Sequence, residues 1–554
     1  VTDAFFDRHR AVLDQALRAA ATREYWSAYP ESPSPRNYGE TAAEEGRQAF
    51  EALRGTDFPM DVPGAARFTG GEQSPFGFDL DISYPRLSPE QMMAASTRAL
   101  AEWRRAGPRA WVGVALEILH RLNRASFEIA HAVQHTTGQG YMMAFQAGGP
   151  HAQDRGLEAV AYAWQEMARV PEQVLWEKPQ GKHEPLRMEK HFTVVPRGVA
   201  LVIGCATFPT WNSYPGLFAS LATGNTVVVK PHPAAILPLA ITVRIAREVL
   251  FEAGFDPDAI LLAPHAAAED TAQVLATHPQ VRIVDFTGSK ANGEWLEQHA
   301  RQAQVYTEKS GVNAVIFDSV DDLKAAARNL AFSLSLYSGQ MCTAPQNIYV
   351  PRDGIQTAQG RVGFDEVAGA LAAALQAVTA DEAKAADVLG AIQGEATLAR
   401  IEQARGLGLP VLADSRPIGH PQYENARMRT PLLLRADANH PAIQREWFGP
   451  IAFIVETDST ARSLALAGES ARTHGALTWS AYTTDAAVAR ATREAAEQAG
   501  VALSLNLTAG VFVNQSAAFS DFHGTGANPA ANASLCDAAY VASRFRVVQS
   551  RWHA

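Results

Sequence analysis

At 554 residues the chain is too long for a single core and is expected to divide into two or more domains. Its composition, 47% apolar and 19% charged, is that of an ordinary globular protein. The formal charge of −10, from 48 basic and 58 acidic residues, comes without a basic run or stripe, which argues against nucleic acid as a partner.

The chain opens on Val1-Thr2-Asp3-Ala4-Phe5-Phe6-Asp7, without the basic head and apolar core of a signal peptide. No run approaches the roughly twenty apolar residues of a membrane span. A cytoplasmic protein with no membrane partner is the expectation. Phe5 to Ala28 reads as a helix with apolar positions at Ala11, Leu13, Ala16, Leu17 and Ala20. Tyr29 to Ser88, rich in Pro, Gly and charge, is predicted to be an extended, wrapped segment. Ser88-Pro89-Glu90 is a helix start, with Ser as N-cap and Pro in the first turn. The helical pattern continues to about Arg169, broken near His135-Thr136-Thr137-Gly138 and Gly148-Gly149-Pro150.

At Phe192 the period changes. Phe192 to Gly204 reads as two strands with a break at Pro196, followed by a helix from Tyr214 to Thr223 and the apolar strand Thr226-Val227-Val228-Val229-Lys230. A helix from Pro238 to Ala253, a strand at Ile260-Leu261-Leu262-Ala263, another helix and a strand at Val281 to Phe286 come next. Apolar strands alternating with helices imply a buried parallel sheet. The alternation resumes at Asn347-Ile348-Tyr349-Val350 and runs to about Val501, a second α/β unit. The tail from Tyr540 to Gln549 alternates as an exposed or pairing strand would, and with the 187–195 strand it could form an arm reaching a second subunit.

Chemistry concentrates in Ser338-Gly339-Gln340-Met341-Cys342-Thr343-Ala344-Pro345. The three cysteines, Cys205, Cys342 and Cys536, form no disulfide framework and no metal-ligand spacing, so no metal is expected. A lone cysteine is usually a small buried hydrophobe. Cys342 stands among residues small enough for close approach, and a position at a helix start or loop end would lend it backbone amides. Glu308, after the strand-like Gln304-Val305-Tyr306-Thr307, is either a surface carboxylate paired with Lys309 or a general base with a raised pKa. Lys230 ends an apolar strand, where α/β sheets bind ligands, and would suit a ribose hydroxyl or phosphate; its plainer role is to reach solvent. Phe286-Thr287-Gly288-Ser289 is a turn after a strand that lacks a full dinucleotide fingerprint.

Together, Lys230-Pro231, Phe286-Thr287-Gly288-Ser289, Glu308, Gly339-Gln340-Met341-Cys342 and Glu446-Trp447-Phe448-Gly449-Pro450 resemble the aldehyde dehydrogenase superfamily, in the family's order. The resemblance implies two Rossmann-type α/β domains with parallel sheets and a small β oligomerisation arm. The expected divisions are an N-terminal extension at 1–88, a nucleotide-binding domain at 89–314 with an arm strand near 187–196, a catalytic domain at 315–510 and a C-terminal segment with the arm at 511–554. It further implies that Cys342 attacks an aldehyde to give a thiohemiacetal, that hydride leaves to a nicotinamide, and that Glu308 activates water against the resulting thioester. By the same correspondence Lys230 and Glu446 hold cofactor riboses, Gly288 and Ser289 line the cofactor turn, and Phe448 packs near the nicotinamide. A homodimer or dimer-based oligomer is implied as well.

Departures narrow the expectation. The family's oxyanion asparagine is replaced by Thr207, in Cys205-Ala206-Thr207-Phe208-Pro209; Thr207, Asn212 or backbone amides alone remain candidates for that role. Pro233 stands where NAD-preferring members carry a glutamate, which removes a repulsion against a 2′-phosphate and favours NADP over NAD, with His232 adding partial positive charge. Asn347 replaces a usual arginine. These departures and the tail Phe522-His523-Gly524-Thr525-Gly526-Ala527-Asn528-Pro529 resemble the phenylacetic acid degradation group of these dehydrogenases. That group implies a small-molecule aldehyde carried on coenzyme A, 3-oxo-5,6-dehydrosuberyl-CoA semialdehyde. The rivals are a CoA-acylating dehydrogenase, which commonly lacks the Glu308 carboxylate, and a catalytically silent protein of the same fold.

Overall fold

The computed structural model describes residues 3–554. Two parallel sheets organise it. The first has five strands in the order Gln304–Glu308, Val281–Thr287, Val199–Ile203, Thr226–Lys230 and Ile260–Leu262, every pair parallel. Val199–Ile203 and Thr226–Lys230 are buried along their whole length. That explains their unbroken apolar runs, because helices cover both faces of the sheet. The register pairs Ile203 with Lys230 and Thr287 with Glu308, so these four residues line up along the carboxyl edge. Ligands collect at that edge in open α/β sheets.

The second sheet has seven strands in the order Val411–Ala413, Leu432–Asp437, Ile451–Thr457, Asn347–Pro351, Ala314–Phe317, Thr478–Tyr482 and Ala502–Leu505, parallel except for the first. A third, antiparallel sheet is the arm. His183–Pro196 lies between Gln173–Gln180 and Phe545–His553, as the alternating tail suggested. It exposes apolar side chains, Leu175 at 55% and Trp552 at 46% among them.

The tail strand begins later than its pattern implied, at Phe545, because residues Ala538–Ala542 close a helical turn capped by the Asp537 side chain. The turn delivers Arg544 into the core. There its fully buried guanidinium donates to both oxygens of Asp285, at 2.6 and 2.7 Å, in the middle of the Val281–Thr287 strand. A bidentate pair answers the desolvation cost of both charges.

The N-terminal region departs most from expectation. The first helix ends at Thr22 rather than Ala28, where Arg23 takes a left-handed conformation. The stretch expected to be extended contains a helix, Ala42–Leu53, whose buried Gly46, Phe50 and Leu53 form one face. Pro and Gly on either side hid that face. Farther along, Ser88 caps Pro89–Arg124 in a capping box with Gln91, as the sequence indicated. The buried Glu72 of the extension accepts from the backbone amides of Ile236 and Leu237 at 2.6 and 2.9 Å. It thereby caps the Leu237–Glu252 helix that covers the first sheet. No helix among the described residues is long and apolar enough to cross a membrane.

Candidate active site

Cys342 lies in the loop between the turn Leu336–Gly339 and the strand Asn347–Pro351, not at a helix start. The turn is strained: Tyr337, Ser338 and Gly339 all have positive φ, of 49, 50 and 61°. Side-chain bonds hold it there. The Tyr337 hydroxyl donates to the Thr137 carbonyl at 2.5 Å and the Ser338 hydroxyl to that of Leu389 at 3.0 Å. Gln340 Nε2 donates to the Ala391 carbonyl at 3.1 Å. Asn313 fixes the loop beyond the cysteine, donating to the carbonyls of Cys342 and Ala344.

Glu308 ends the edge strand of the first sheet and is buried. Its Oε1 lies 2.9 Å from His523 Nε2, and its Oε2 accepts from Asn212 Nδ2 at 3.0 Å. His523 Nε2 is also 3.6 Å from Cys342 Sγ. Thiol, imidazole and carboxylate therefore meet between the end of a first-sheet strand and the loop that leads into the second sheet.

The electrostatics correct the sequence reading of Glu308. Burial alone would raise its carboxyl, but the charge and hydrogen bond of His523, with bonds to Cys342 and Asn212, bring it below its ordinary value. It stays ionised at neutral pH. Burial, then the Glu308 charge, push the Cys342 thiol well above its ordinary range. A cysteine so placed needs a proton acceptor to become a nucleophile.

The other predicted residues converge on one cleft of about 680 Å³. Lys230, Pro233, Gly288, Ser289, Glu446 and Phe448 line it together with Thr207, Asn212, Glu308 and Cys342. Lys230 is buried, and burial alone lowers it to about 8. Burial raises Glu446 to about 7 against the bond it accepts from Ser310. Gln346 ties the Glu446 loop to the cysteine loop, donating to the Arg445 carbonyl at 2.9 Å and accepting from Trp447 N at 2.7 Å. Ser289 is the N-cap of the helix Lys290–His299, whose free amides at the cleft wall suit a pyrophosphate. Gly288 leaves no room for a side chain in the turn, since a Cβ would meet the Phe286 ring at 2.8 Å. The donor set, a buried lysine, a buried carboxyl and a helix N-terminus around one long cleft, fits a dinucleotide.

Thr207 and Asn212 both reach the cleft, with different commitments. Asn212 is buried and its amide already serves Glu308, while its Oδ1 accepts from Cys205 Sγ at 3.7 Å. The Thr207 carbonyl accepts from Gln139 Nε2 at 2.8 Å. The positive charge expected from His232 is absent: burial, then Lys230, lower it to about 4, so the ring is neutral at pH 7. Asn347 has a structural task in place of the usual arginine. It donates to the Ile443 carbonyl at 2.7 Å and so braces the segment leading to Glu446.

Sequence reasoning missed His523, Asn313 and Gln346. His523 lay in the tail already marked as unusual, and that was its only signal. The two amides resemble ordinary loop residues until the fold closes around them.

Residues 87–524 match the aldehyde dehydrogenase family. A crystal structure of an NAD-dependent aldehyde dehydrogenase from Burkholderia multivorans is 61% identical, covering 100% of this chain and 99% of that one, with a TM-score of 0.98. A 1-pyrroline-5-carboxylate dehydrogenase from Thermus with bound NAD shares the fold at 18% identity and a TM-score of 0.73, over 96% and 99% of the two chains. Curated relatives align over shorter stretches. The 1-pyrroline-5-carboxylate dehydrogenase of Geobacillus thermodenitrificans is 26% identical over 281 residues, 49% of this chain and 52% of that one. The chain spans 58% and 62% of the length of two relatives from Gibberella moniliformis and Gibberella fujikuroi. With its motifs in order and the family's match spanning most of its length, the chain belongs to the aldehyde dehydrogenase family.

Proposed function

We propose that this protein oxidises an aldehyde to a carboxylic acid through a covalent Cys342 adduct, using a nicotinamide dinucleotide. The observation that carries the reading is the meeting of Cys342 Sγ, His523 Nε2 and Glu308 Oε1 at one end of a cleft suited to a dinucleotide. The Cys342 sulfur adds to the aldehyde carbonyl, and the developing oxyanion takes donors from the cleft: the Thr207 hydroxyl, the Asn212 amide or loop backbone amides. A dinucleotide bound along Lys230, Ser289 and Glu446 would supply the hydride acceptor. Glu308 then takes a proton from water, which attacks the thioester and frees Cys342. The first sheet serves the cofactor and the second positions the nucleophile.

For the cofactor we take NAD(P), with NAD supported by the Burkholderia neighbour. Pro233 in the cleft keeps NADP as the second reading, with less support than the sequence suggested because His232 is neutral. For the substrate we propose a CoA-linked semialdehyde of aromatic catabolism, 3-oxo-5,6-dehydrosuberyl-CoA semialdehyde, on the sequence resemblance. A dimer built through the arm is supported by the apolar side chains it exposes, and a cytoplasmic location by the reducing environment its thiols suit.

The test compares rates on short aliphatic, aromatic and CoA-linked aldehydes with NAD and NADP. Acid formed without free CoA supports the hydrolytic reading; product formed only as a new CoA thioester would replace it with the acylating one. No reduction of either cofactor by any aldehyde would sink the proposal.

A further inference from the structure

Three side chains of different chemistry converge at the end of the cleft. Glu308 comes from the edge strand of the first sheet, Cys342 from the loop before Asn347–Pro351, and His523 from the tail. One donor atom of each, Oε1, Sγ and Nε2, lies within 4.8 Å of the other two. The spacing of the cysteines along the chain does not reveal such a set, because only one of them takes part.

The distances suit a metal ion. Zinc bonds of about 2.3 Å to sulfur and about 2.0 Å to nitrogen, at the tetrahedral angle, hold those two atoms about 3.5 Å apart. Here Sγ and Nε2 stand 3.6 Å apart. Nε2 and Oε1, hydrogen-bonded at 2.9 Å, need to open by about 0.4 Å for the same geometry. Each donor is already aimed by a further contact. Asn212 Nδ2 donates to Oε2 at 3.0 Å, which leaves Oε1 for the ion. The Asn313 amide holds the Cys342 carbonyl at 2.8 Å. The His523 backbone pairs with that of Leu535, and its ring meets Trp211 edge-on with centroids 4.7 Å apart. Supports of this kind fix the orientation of ligands and raise affinity.

We propose that Cys342 Sγ, His523 Nε2 and Glu308 Oε1 form an inhibitory site for a zinc ion, with a water from the cleft as fourth ligand. The ion replaces two hydrogens. The thiol S–H bond breaks, its electron pair stays on sulfur, and the proton leaves to solvent. The hydrogen that Nε2 gives to Glu308 also leaves, freeing that nitrogen's lone pair for the ion, and the ring regains a hydrogen at Nδ1. The imidazole is neutral before and after, and binding releases one proton in all. Thiolate and carboxylate together balance the charge of the ion, so the buried site is neutral overall. Thiolate and imidazole select zinc over magnesium or calcium. Bound there, the ion occupies both the sulfur that would attack an aldehyde and the carboxylate that would activate water. The inhibition rests on the reaction proposed above; the binding does not.

Binding is therefore read without substrate. Cobalt(II), which takes tetrahedral zinc sites and absorbs where zinc does not, is titrated into the wild-type protein and then displaced by zinc. A cobalt–thiolate charge-transfer band that saturates at one ion per chain is expected, and it should be absent in Cys342→Ala. Zinc should slow alkylation of Cys342 by iodoacetamide at least ~10-fold, and EDTA should restore it. Magnesium should do neither. Competition with a chromophoric chelator should show zinc held at least ~10-fold more weakly in His523→Ala and Glu308→Gln that keep the wild-type Tm, since even loss of a group behind a ligand costs that much. Absence of the thiolate band in the wild-type protein overturns the proposal, whatever the variants do. So does unchanged zinc affinity in His523→Ala, which would leave the thiol holding the ion without the imidazole. If zinc binds as described but the metal-free protein oxidises no aldehyde, the site stands and the proposed reaction falls.

Discussion

The Asn313 side chain joins the cysteine loop to the second sheet: its Nδ2 donates to the Cys342 carbonyl at 2.8 Å and to that of Ala344 at 2.9 Å. Its Oδ1 accepts from the amides of Leu477 and Thr478 at 2.9 and 3.0 Å. Asn313→Ala strands these backbone groups. A loss of about 2 kcal/mol or more in denaturant unfolding is expected, with kcat lower by at least about tenfold. Asn313→Asp keeps the acceptor and loses the donor, so it should fall between. Wild-type stability in Asn313→Ala would refute the bridging role.

Cys342 and Glu308 separate the two halves of the proposed reaction. Cys342→Ala should abolish turnover while dinucleotide binding, followed by fluorescence, is kept. Glu308→Gln should give one burst of reduced cofactor per active site and then stall with an acyl group on Cys342, detectable as a mass increment. Steady turnover of that variant at the wild-type rate would exclude Glu308 as the base.

Lys230, lowered by burial to about 8, sets a pH limit on cofactor affinity. If Lys230 holds a cofactor ribose as proposed, its charged form would donate to the ribose hydroxyls, and affinity should decline as pH rises through about 8. Lys230→Met should bind about tenfold more weakly and show no such decline. Fluorescence titration of the reduced dinucleotide between about pH 6 and 9 decides this.

Glu72 links pH to stability from the N-terminal extension. Burial raises it to about 7, against bonds from Tyr84, Leu237 and Ile236. In the unfolded chain a glutamate titrates near about 4.3, so between these values the folded state keeps a proton the unfolded state has lost. Its contribution is full below about pH 4 and gone above about pH 7. Glu72→Gln keeps an acceptor for both amides and should flatten the dependence of Tm on pH across that window. Identical profiles for the two proteins would remove Glu72 as a source.

Gly339 has a φ of 61°, and a Cβ there would meet the Gly449 carbonyl oxygen at 2.5 Å. Gly339→Ala should push the cysteine turn off the Glu446–Pro450 loop. Loss of about 1–3 kcal/mol in stability and weaker dinucleotide binding should appear together. Loss of only one would show that the two loops move independently.

The sheet strands were legible because burial on both faces leaves an uninterrupted apolar signature, as at Val227, Val228 and Val229. Pairing of the tail with the 187–195 strand was legible from its alternation. The Ala42–Leu53 helix was not, because its few apolar residues are spaced among charges and flanked by breakers. At the site, Cys342 and Glu308 stood in local motifs, whereas the groups that set their charge came from elsewhere. His523 reaches Glu308 from the tail, and its presence reverses the pKa direction that burial alone would give. Local sequence carries propensity and period, but not which distant loop returns to complete a pocket.

The buried Arg544–Asp285 pair gives the arm a root inside the first sheet. Asp285 lies two residues before Thr287, which pairs with Glu308 and leads into the Gly288–Ser289 turn. The peripheral ribbon and the Glu308 carboxylate are thus mounted on one stiff sheet. A force applied to the ribbon by a neighbouring molecule would be felt at the strand end that carries the chemistry, with no flexible joint between them to absorb it.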